Sequence, residues 1–149
     1  MITEDYVSYE VAKLLKEKGF DESTSMVYMS GDLCKLNRYD SIRNSNYNDI
    51  TKNYFEYTAP THQMAMKWLR EVHNIDIDID AAVGMLGVKV YVPFISTYKP
   101  LKDAPSKVRQ IKRGIYYKDD KGVIPALQHF AFYEEAVEAA LKYSLENLI

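Results

Sequence analysis

The stretch Thr58–Asp80, TAPTHQMAMKWLREVHNIDIDID, decides the fold because a helix pattern in it passes directly into a strand pattern. Apolar residues recur at helical spacing in its first part and form one stripe, made of Met64, Ala65, Trp68, Leu69 and Val72. Thr58 suits the N-cap, Pro60 suits the first turn, and Asn74 suits a left-handed residue at the helix end. We therefore expect a helix over 60–73 with Trp68 near the centre of the core.

The second part of the stretch has the period of a strand with one buried face. Ile75, Ile77 and Ile79 alternate with three aspartates, Asp76, Asp78 and Asp80. A turn at 84–87 and a second alternating run, Val88–Pro93, follow. Pro93 cannot donate a ladder hydrogen bond, so this second run, or its end, is expected at a sheet edge.

Two further helices are predicted at the ends of the chain. The first spans 8–19, with Ser8 as N-cap and Gly19 and Phe20 suited to a Schellman ending. The second spans 133–148, with Glu134 and Glu135 opposing the helix dipole in its first turn. The expected core unites all these elements: Val11, Leu14, Leu15, Met64, Trp68, Leu69, Val72, Ile75, Ile77, Ile79, Val90, Val137, Ala140 and Leu141.

The remaining segments predict hairpins and irregular excursions. Strands at 25–29 and 33–37 flank Ser30-Gly31-Asp32, and strands at 114–118 and 123–127 flank a turn at 119–122. Residues 39–53 are rich in Asn, Asp and Ser, and residues 97–112 contain two prolines and many cations. We expect irregular excursions near 39–53 and 97–122, with room for a short helix at 106–111. The chain as a whole, 1–149, is predicted to be one α+β domain with an antiparallel sheet and three main helices packed mostly on one face.

Composition excludes several classes of protein. The chain has 149 residues, a net charge of −2 and one cysteine, Cys34, so no internal disulfide framework is possible. Its first residues have no signal-peptide pattern, and no run approaches the roughly 18 apolar residues of a membrane span. These features predict a soluble cytoplasmic protein that does not enter membranes, with Cys34 as a buried structural thiol. The 13 tyrosines fit many half-buried positions or an interface.

Two groups of side chains are candidate sites. The three aspartates share one strand face about 6.7 Å apart, a spacing that leaves a divalent cation without enough neighbouring ligands. We therefore interpret the row as a water-facing surface, with a divalent cation or a basic partner as alternatives. The three histidines have no metal-ligand spacing, and no nucleophile or phosphate-binding motif is present, so we predict no catalytic residues, metal or cofactor.

The second group is basic. The segment Lys99–Lys121 holds eight basic and three acidic residues, a net charge of +5, so the remainder of the chain carries −7. Tyrosines among the cations can stack on bases while the cations contact phosphates. The residues predicted to bind an anionic ligand, nucleic acid or a nucleotide, are Arg109, Lys112, Arg113, Tyr116 and Lys118. A solvated loop is the competing interpretation, because the acidic remainder would repel a long polyanion.

Three segments together, ITEDYVSYEVAKLLKEKGFD, APTHQMAMKWLREVHNI and YEEAVEAALKYSLENLI, resemble a group of small uncharacterised α+β proteins of gut anaerobes and of their phages and mobile elements. That resemblance carries no established activity and implies an accessory gene product encoded near mobile DNA. We therefore expect a non-catalytic protein-interaction module that binds a protein partner or forms a homodimer. The alternatives are anionic-ligand binding through 97–122 and a metal-dependent hydrolase built on the aspartate row.

Overall fold

The computed structural model describes residues 3–37, 40–45, 55–117 and 126–149. Within these ranges, three helices and two antiparallel sheets confirm the predicted α+β class. The elements in chain order are α1 (Tyr9–Glu17), β1 (Met26–Met29), β2 (Asp32–Lys35), β3 (Tyr57–Thr58), α2 (His62–His73), β4 (Ile75–Val83), β5 (Lys89–Leu101), β6 (Ala104–Gly114) and α3 (Tyr133–Asn147).

The strands that the structure describes form two sheets, which corrects the expectation of one. The first has the order β2-β1-β3 and the second the order β4-β5-β6. They belong to two compact units, residues 1–65 with Ile149 and residues 66–148. The division follows the chain order, because β1, β2 and β3 pair only with one another and β4, β5 and β6 do the same. That the chain is a single domain stays a prediction.

Helix α1 has the two ends predicted for it. The Ser8 hydroxyl accepts a hydrogen bond from the Val11 N–H. At the other end Gly19 has φ +89°, the Phe20 N–H donates to Leu15 O at 2.9 Å, and the Gly19 N–H donates to Lys16 O at 3.1 Å. These two bonds are the Schellman pattern, so Gly19 holds a left-handed position that a side chain would strain.

The first unit also contains the predicted hairpin at 25–37. Ser30 and Gly31 both have positive φ, as a two-residue type I′ turn requires, and they join β1 to β2. Val27, Ile42 and Phe55 form a buried cluster, and Cys34 packs against it while remaining only half-buried. Cys34, expected to be a buried structural thiol, is thus buried only in part, because most residues of β2 are exposed. Of the predicted excursion at 39–53, only 40–45 lie within the described residues.

Helix α2 differs from its prediction at two positions. Thr61 caps it, since its hydroxyl accepts from the Met64 N–H at 3.2 Å, while the predicted cap Thr58 lies in β3. Val72 was placed in the core but is 57% exposed, because the apolar stripe turns away from the core in the last helical turn. The helix ends as predicted at Asn74, which has φ +54°.

In the second unit β5 is the central strand, so the run Val88–Pro93 is not an edge strand, although β6 does not pair with β5 before Phe94. It continues through Pro93 to Leu101 and pairs with β4 on one side and β6 on the other. The Tyr91 N–H points away from β4 and donates to Phe130 O, so the nitrogen of Pro93 faces the same side. On that side pairing with β6 begins only at Phe94. The missing N–H of Pro93 thus lies where the β5–β6 ladder ends, and β5 continues through Pro93 in its pairing with β4.

The predicted excursion at 97–112, with its short helix at 106–111, is instead a long β-hairpin. Residues 94–101 of β5 pair with β6, with a register shift between Pro100 and Leu101. Most β6 side chains are exposed, so the strand lacks the apolar alternation that would have identified it. Beyond β6, an isolated bridge pairs Tyr116 with Leu127. The turn predicted at 119–122 and most of the strand predicted at 123–127 lie outside the described residues.

The two faces of the second sheet differ in what lies against them. Helix α3 packs on β4 and β5, and the Tyr133 ring contacts the Tyr91 ring at 5.9 Å. Tyr91 lies on the same face as Ile75, Ile77 and Ile95, which we call the helix face. The opposite face carries Asp76, Asp78, Asp80, Val90, Val92, Phe94 and Ser96, and we call it the aspartate face.

Most of the predicted core is buried or half-buried. Eight of its residues are buried: Val11, Leu15, Trp68, Leu69, Ile75, Val137, Ala140 and Leu141. Five are half-buried: Leu14, Met64, Ile77, Ile79 and Val90. The prediction omitted several fully or almost fully buried side chains, among them Val7, Phe20, Val27, Phe55, Ile95 and Leu145. Phe20 and Phe55 lie outside the periodic segments, where spacing gives no signal.

Candidate binding surface

The β4–β5 hairpin ends in apolar side chains that face solvent. Met85 and Leu86 are fully or almost fully exposed, at 105% and 92%. Val83 before the turn and Val88 after it are also largely exposed. Gly87 allows the turn, because its φ of +73° suits a residue without a side chain. A cluster of apolar side chains on a hairpin turn exceeds the scattered apolar exposure that is usual on protein surfaces.

An apolar cleft of about 490 Å³ lies beside this turn. Its lining consists of Val83, Gly84, Met85, Leu86, Val88, Val90, Val92, Leu127 and His129. Clefts of roughly 300–1,000 Å³ with mainly apolar walls are typical of sites that bind small ligands or side chains. Of the described residues that line the cleft, His129 alone has a titratable side chain.

The sheet places the cleft on the aspartate face. Val90 and Val92 point to that face because they alternate with Tyr91, whose ring contacts α3 on the other. Leu127 and His129 come from the segment that joins β5 at Phe130, through two backbone hydrogen bonds with Tyr91. Pro93 has a direct part in this arrangement, since the β6 ladder ends there and leaves this side of β5 to the 127–130 segment.

Leu127 is held where β6 ends, against a glycine. A Cβ at Gly114 would overlap Leu127 Cδ2 and would lie 3.6 Å from the Phe94 ring. Glycine at this position therefore permits Leu127 to lie directly on the sheet and form one wall of the cleft.

The three aspartates extend from the cleft along β4 and differ in their partners. Asp80 lies directly opposite Val92, Asp78 opposite Phe94, and Asp76 opposite Ser96. Asp76 lies 4.0 Å from the Arg70 guanidinium, and its hydrogen bond with the Tyr98 hydroxyl raises the pKa of that phenol. Asp78 and Asp80 are exposed, and neither forms an ion pair with another residue in the described part of the chain.

No group of three His, Cys, Asp or Glu side chains that could hold a metal ion occurs within residues 3–37, 40–45, 55–117 and 126–149. The aspartate row has the spacing of alternate residues on a strand, and nothing in the described ranges adds a further ligand. The metal-dependent hydrolase alternative thus has no metal site in that part of the chain.

The residues predicted to bind an anionic ligand do not converge on one place. Arg109 lies opposite Lys99, and Arg113 opposite Ile95, so both belong to the helix face. Lys112 lies opposite Ser96 on the aspartate face, and its Nζ is 4.8 Å from the centre of the Phe94 ring. Tyr116 is exposed beyond the end of β6, and Lys118 lies outside the described residues.

The hairpin tip and the cleft were missed by sequence reasoning, although a signal was present. Residues Val83–Val88 read VGMLGV, which places four apolar residues around a turn that is ordinarily polar. The run was interpreted only as a turn between two strands. The wall formed by Leu127 and His129 had no local signal, since those residues are about 40 positions away in sequence.

In comparisons with known proteins, no family model, curated protein or solved structure matches the chain. None of the helices in the described ranges is both long enough and apolar enough to cross a membrane.

Proposed function

We propose that the protein is a non-catalytic protein-interaction module and that its binding surface is the tip of the β4–β5 hairpin with the adjacent apolar cleft. The observation that carries this proposal is the exposure of Val83, Met85, Leu86 and Val88 on one turn. Contiguous exposed apolar patches on folded proteins mark interaction sites, because burying apolar surface against a partner contributes about 25 cal/mol of favourable free energy per Å². Tyr and Met side chains are also enriched at interfaces.

The proposal is tested by placing a photo-crosslinking residue at Met85 and, as control, at Lys13, which is exposed on α1. Crosslinking should give a defined adduct, a second copy or another protein, from position 85 alone. The adduct partner is then purified, and its affinity is measured for wild type and for the double variant Met85→Asp/Leu86→Asp. At least tenfold weaker binding by the variant, with an unchanged far-UV spectrum, is expected. Equal adducts from both positions, or equal affinities, would refute the proposal.

A second candidate function is binding of an anionic ligand by the β5–β6 hairpin, and one observation favours it. Lys99 and Arg109 lie directly opposite each other on the helix face, and like charges in that arrangement are destabilising without a counter-charge. Residues 99–113 carry six basic residues and one acidic residue, a net charge of +5. A nucleotide or a short nucleic acid could supply the counter-charge.

This candidate is tested by fluorescence polarisation with short DNA, short RNA and a labelled nucleotide at low and moderate salt. Because Arg109 and Arg113 share a face that Lys112 does not, Arg109→Ala/Arg113→Ala should weaken binding more than Lys112→Ala does. A triple variant at Lys13, Lys35 and Lys67, all exposed, serves as the charge-matched control. An equal loss of affinity in this control and in the variant Arg109→Ala/Lys112→Ala/Arg113→Ala would show that binding is general electrostatic attraction, and would refute a site on the β5–β6 hairpin.

The cellular setting is part of the proposal. The resemblance of three segments to proteins of phages and mobile elements supports an accessory role beside mobile DNA. The single cysteine suits a reducing compartment such as the cytoplasm. Immunofluorescence or fractionation of a tagged chain in its own cell tests the location, and recovery outside the cytoplasm would contradict it.

A further inference from the structure

We propose that the outer edge of β4 binds a segment of a partner protein as an added antiparallel strand. That segment carries a bulky apolar residue, followed two and four residues later by lysine or arginine. The inference rests on the proposed interaction function and names the chemistry of the partner.

The backbone of β4 has a free side that fits such a strand. The Gly84 N–H donates to Val88 O at 2.8 Å, so even-numbered residues of β4 direct their backbone groups toward β5. The odd-numbered residues, Ile77, Ile79, Ala81 and Val83, direct theirs outward. Among the described residues none of these outward groups has a hydrogen-bond partner, and no strand pairs with this edge. Such an edge is a template for strand addition.

The side chains along that edge determine what the added strand must carry. Ala82, Asp80 and Asp78 succeed one another on the aspartate face, about 6.7 Å apart. A strand added to β4 places every second side chain on the same face. Its residue opposite Ala82 can reach across this small side chain to Val90 in the cleft, while residues opposite Asp80 and Asp78 meet carboxylates.

Charge then selects the partner. Asp76 already lies near Arg70, but the exposed carboxylates of Asp78 and Asp80 form no ion pair with any residue in the described ranges. Charged side chains on an edge strand exclude apolar and acidic strands, which is their usual role in preventing aggregation. The same carboxylates favour a strand with cations at the facing positions, since opposite charges directly across a ladder are stabilising. Antiparallel addition fixes the order as apolar, any, basic, any, basic.

The test uses a fluorescein-labelled peptide, Thr-Leu-Thr-Arg-Thr-Arg-Thr, in fluorescence polarisation with the full chain. Glutamate in place of both arginines, or the reversed sequence, should weaken binding at least tenfold. Asp78→Asn/Asp80→Asn should weaken it by a similar factor, while the control Asp32→Asn/Asp103→Asn, with the same change in charge at exposed sites elsewhere, should not. Equal binding of the glutamate or the reversed peptide would overturn the inference.

Strand addition is tested separately from charge. Ala81→Pro removes an outward N–H without removing a β4–β5 hydrogen bond, so it should abolish binding and leave the far-UV spectrum unchanged. As a second measurement that needs no variant, methylation of the backbone nitrogen of the threonine between the two arginines should block binding, because that N–H faces β4. Methylation at the first arginine, whose N–H points away, should not. Equal effects of the two methyl groups would overturn the added strand.

The outcomes also separate this inference from the proposed function. If the Met85 crosslink gives its adduct but the peptide does not bind the wild-type chain, the proposed interaction surface is supported and the added basic strand is refuted. If position 85 gives no adduct and the peptide does not bind, both proposals are refuted. If instead the chain associates with itself and Lys107→Glu/Arg109→Glu on β6 prevents it, the occupant is the basic strand of a second copy, and a separate partner is excluded.

Discussion

Replacing Trp68 with alanine is expected to remove a large part of the stability of the folded chain. The side chain is 7% exposed, and its ring contacts the His73 ring edge-to-face at 4.6 Å between centroids. Truncation of a buried tryptophan to alanine costs about 3–5 kcal/mol, from lost apolar burial and from the cavity left behind. Domains are stable by only about 5–15 kcal/mol. For a chain of this length the loss corresponds to a fall in Tm of about 6–20 °C.

The same helix supplies the control. Val72 belongs to the same apolar stripe in sequence but is 57% exposed, so Val72→Ala should change the free energy of unfolding by no more than about 0.5 kcal/mol. Trp68→Phe keeps an aromatic ring against His73, so its loss in the free energy of unfolding should lie between those of Val72→Ala and Trp68→Ala.

Urea unfolding followed by far-UV circular dichroism measures all three variants. Fluorescence is unsuitable because Trp68 is the only tryptophan of the chain. If Val72→Ala destabilises the protein as much as Trp68→Ala does, the helix presents a different face to the core, and the argument from burial is refuted.

Three further predictions each concern a single residue. Burial lowers the pKa of His73 below its ordinary value of 6.5, so the unfolded chain binds the proton more tightly than the folded chain does. The contribution of His73 to the free energy of unfolding should therefore be fully present above pH 6.5 and should be lost as the pH falls through the folded pKa. A His73→Gln variant whose stability varies as steeply with pH between 5 and 7 would contradict this. Gly19→Ala should cost about 1–2 kcal/mol from the left-handed backbone alone, since no atom lies within 4 Å of the added Cβ, and Glu17→Ala in thermal melts is the control. Asp76→Asn should lower the pKa of Tyr98 toward its ordinary value of 10.0 in a difference-absorbance titration over all tyrosines, whereas Asp80→Asn should leave the titration curve unchanged.

Local patterns were sufficient for the elements whose signals lie within one turn of chain. The Ser8 cap, the Schellman ending at Gly19, the hairpin at Ser30-Gly31 and the end of α2 at Asn74 were all predicted and are present. Each depends on one residue and its near neighbours, through a backbone angle that glycine or asparagine tolerates or a hydroxyl that a free N–H requires. Fold class followed from the same signals.

Local sequence patterns predicted only part of the candidate site. The row Asp76, Asp78, Asp80 was recognised as one strand face, and a basic partner was among its alternatives. The basic residues around Arg109 were treated as one site, yet a regular strand sends Arg109 and Lys112 to opposite faces. That error had a physical origin: most side chains of β6 are exposed, so the strand has no apolar alternation and its sequence resembles a loop.

The sequence by itself determined how α1 begins and ends, where α2 ends, which residues alternate along β4, and that Trp68 lies in the core. Only the tertiary structure decided that Val72 is exposed, that β5 is central, and that Leu127 and His129 form a wall of the cleft. The reason is that strand order and side-chain burial depend on pairing between residues far apart in the chain. Pro93 illustrates the difference: its missing donor is evident in the sequence, but which of its two neighbours goes unpaired depends on the fold.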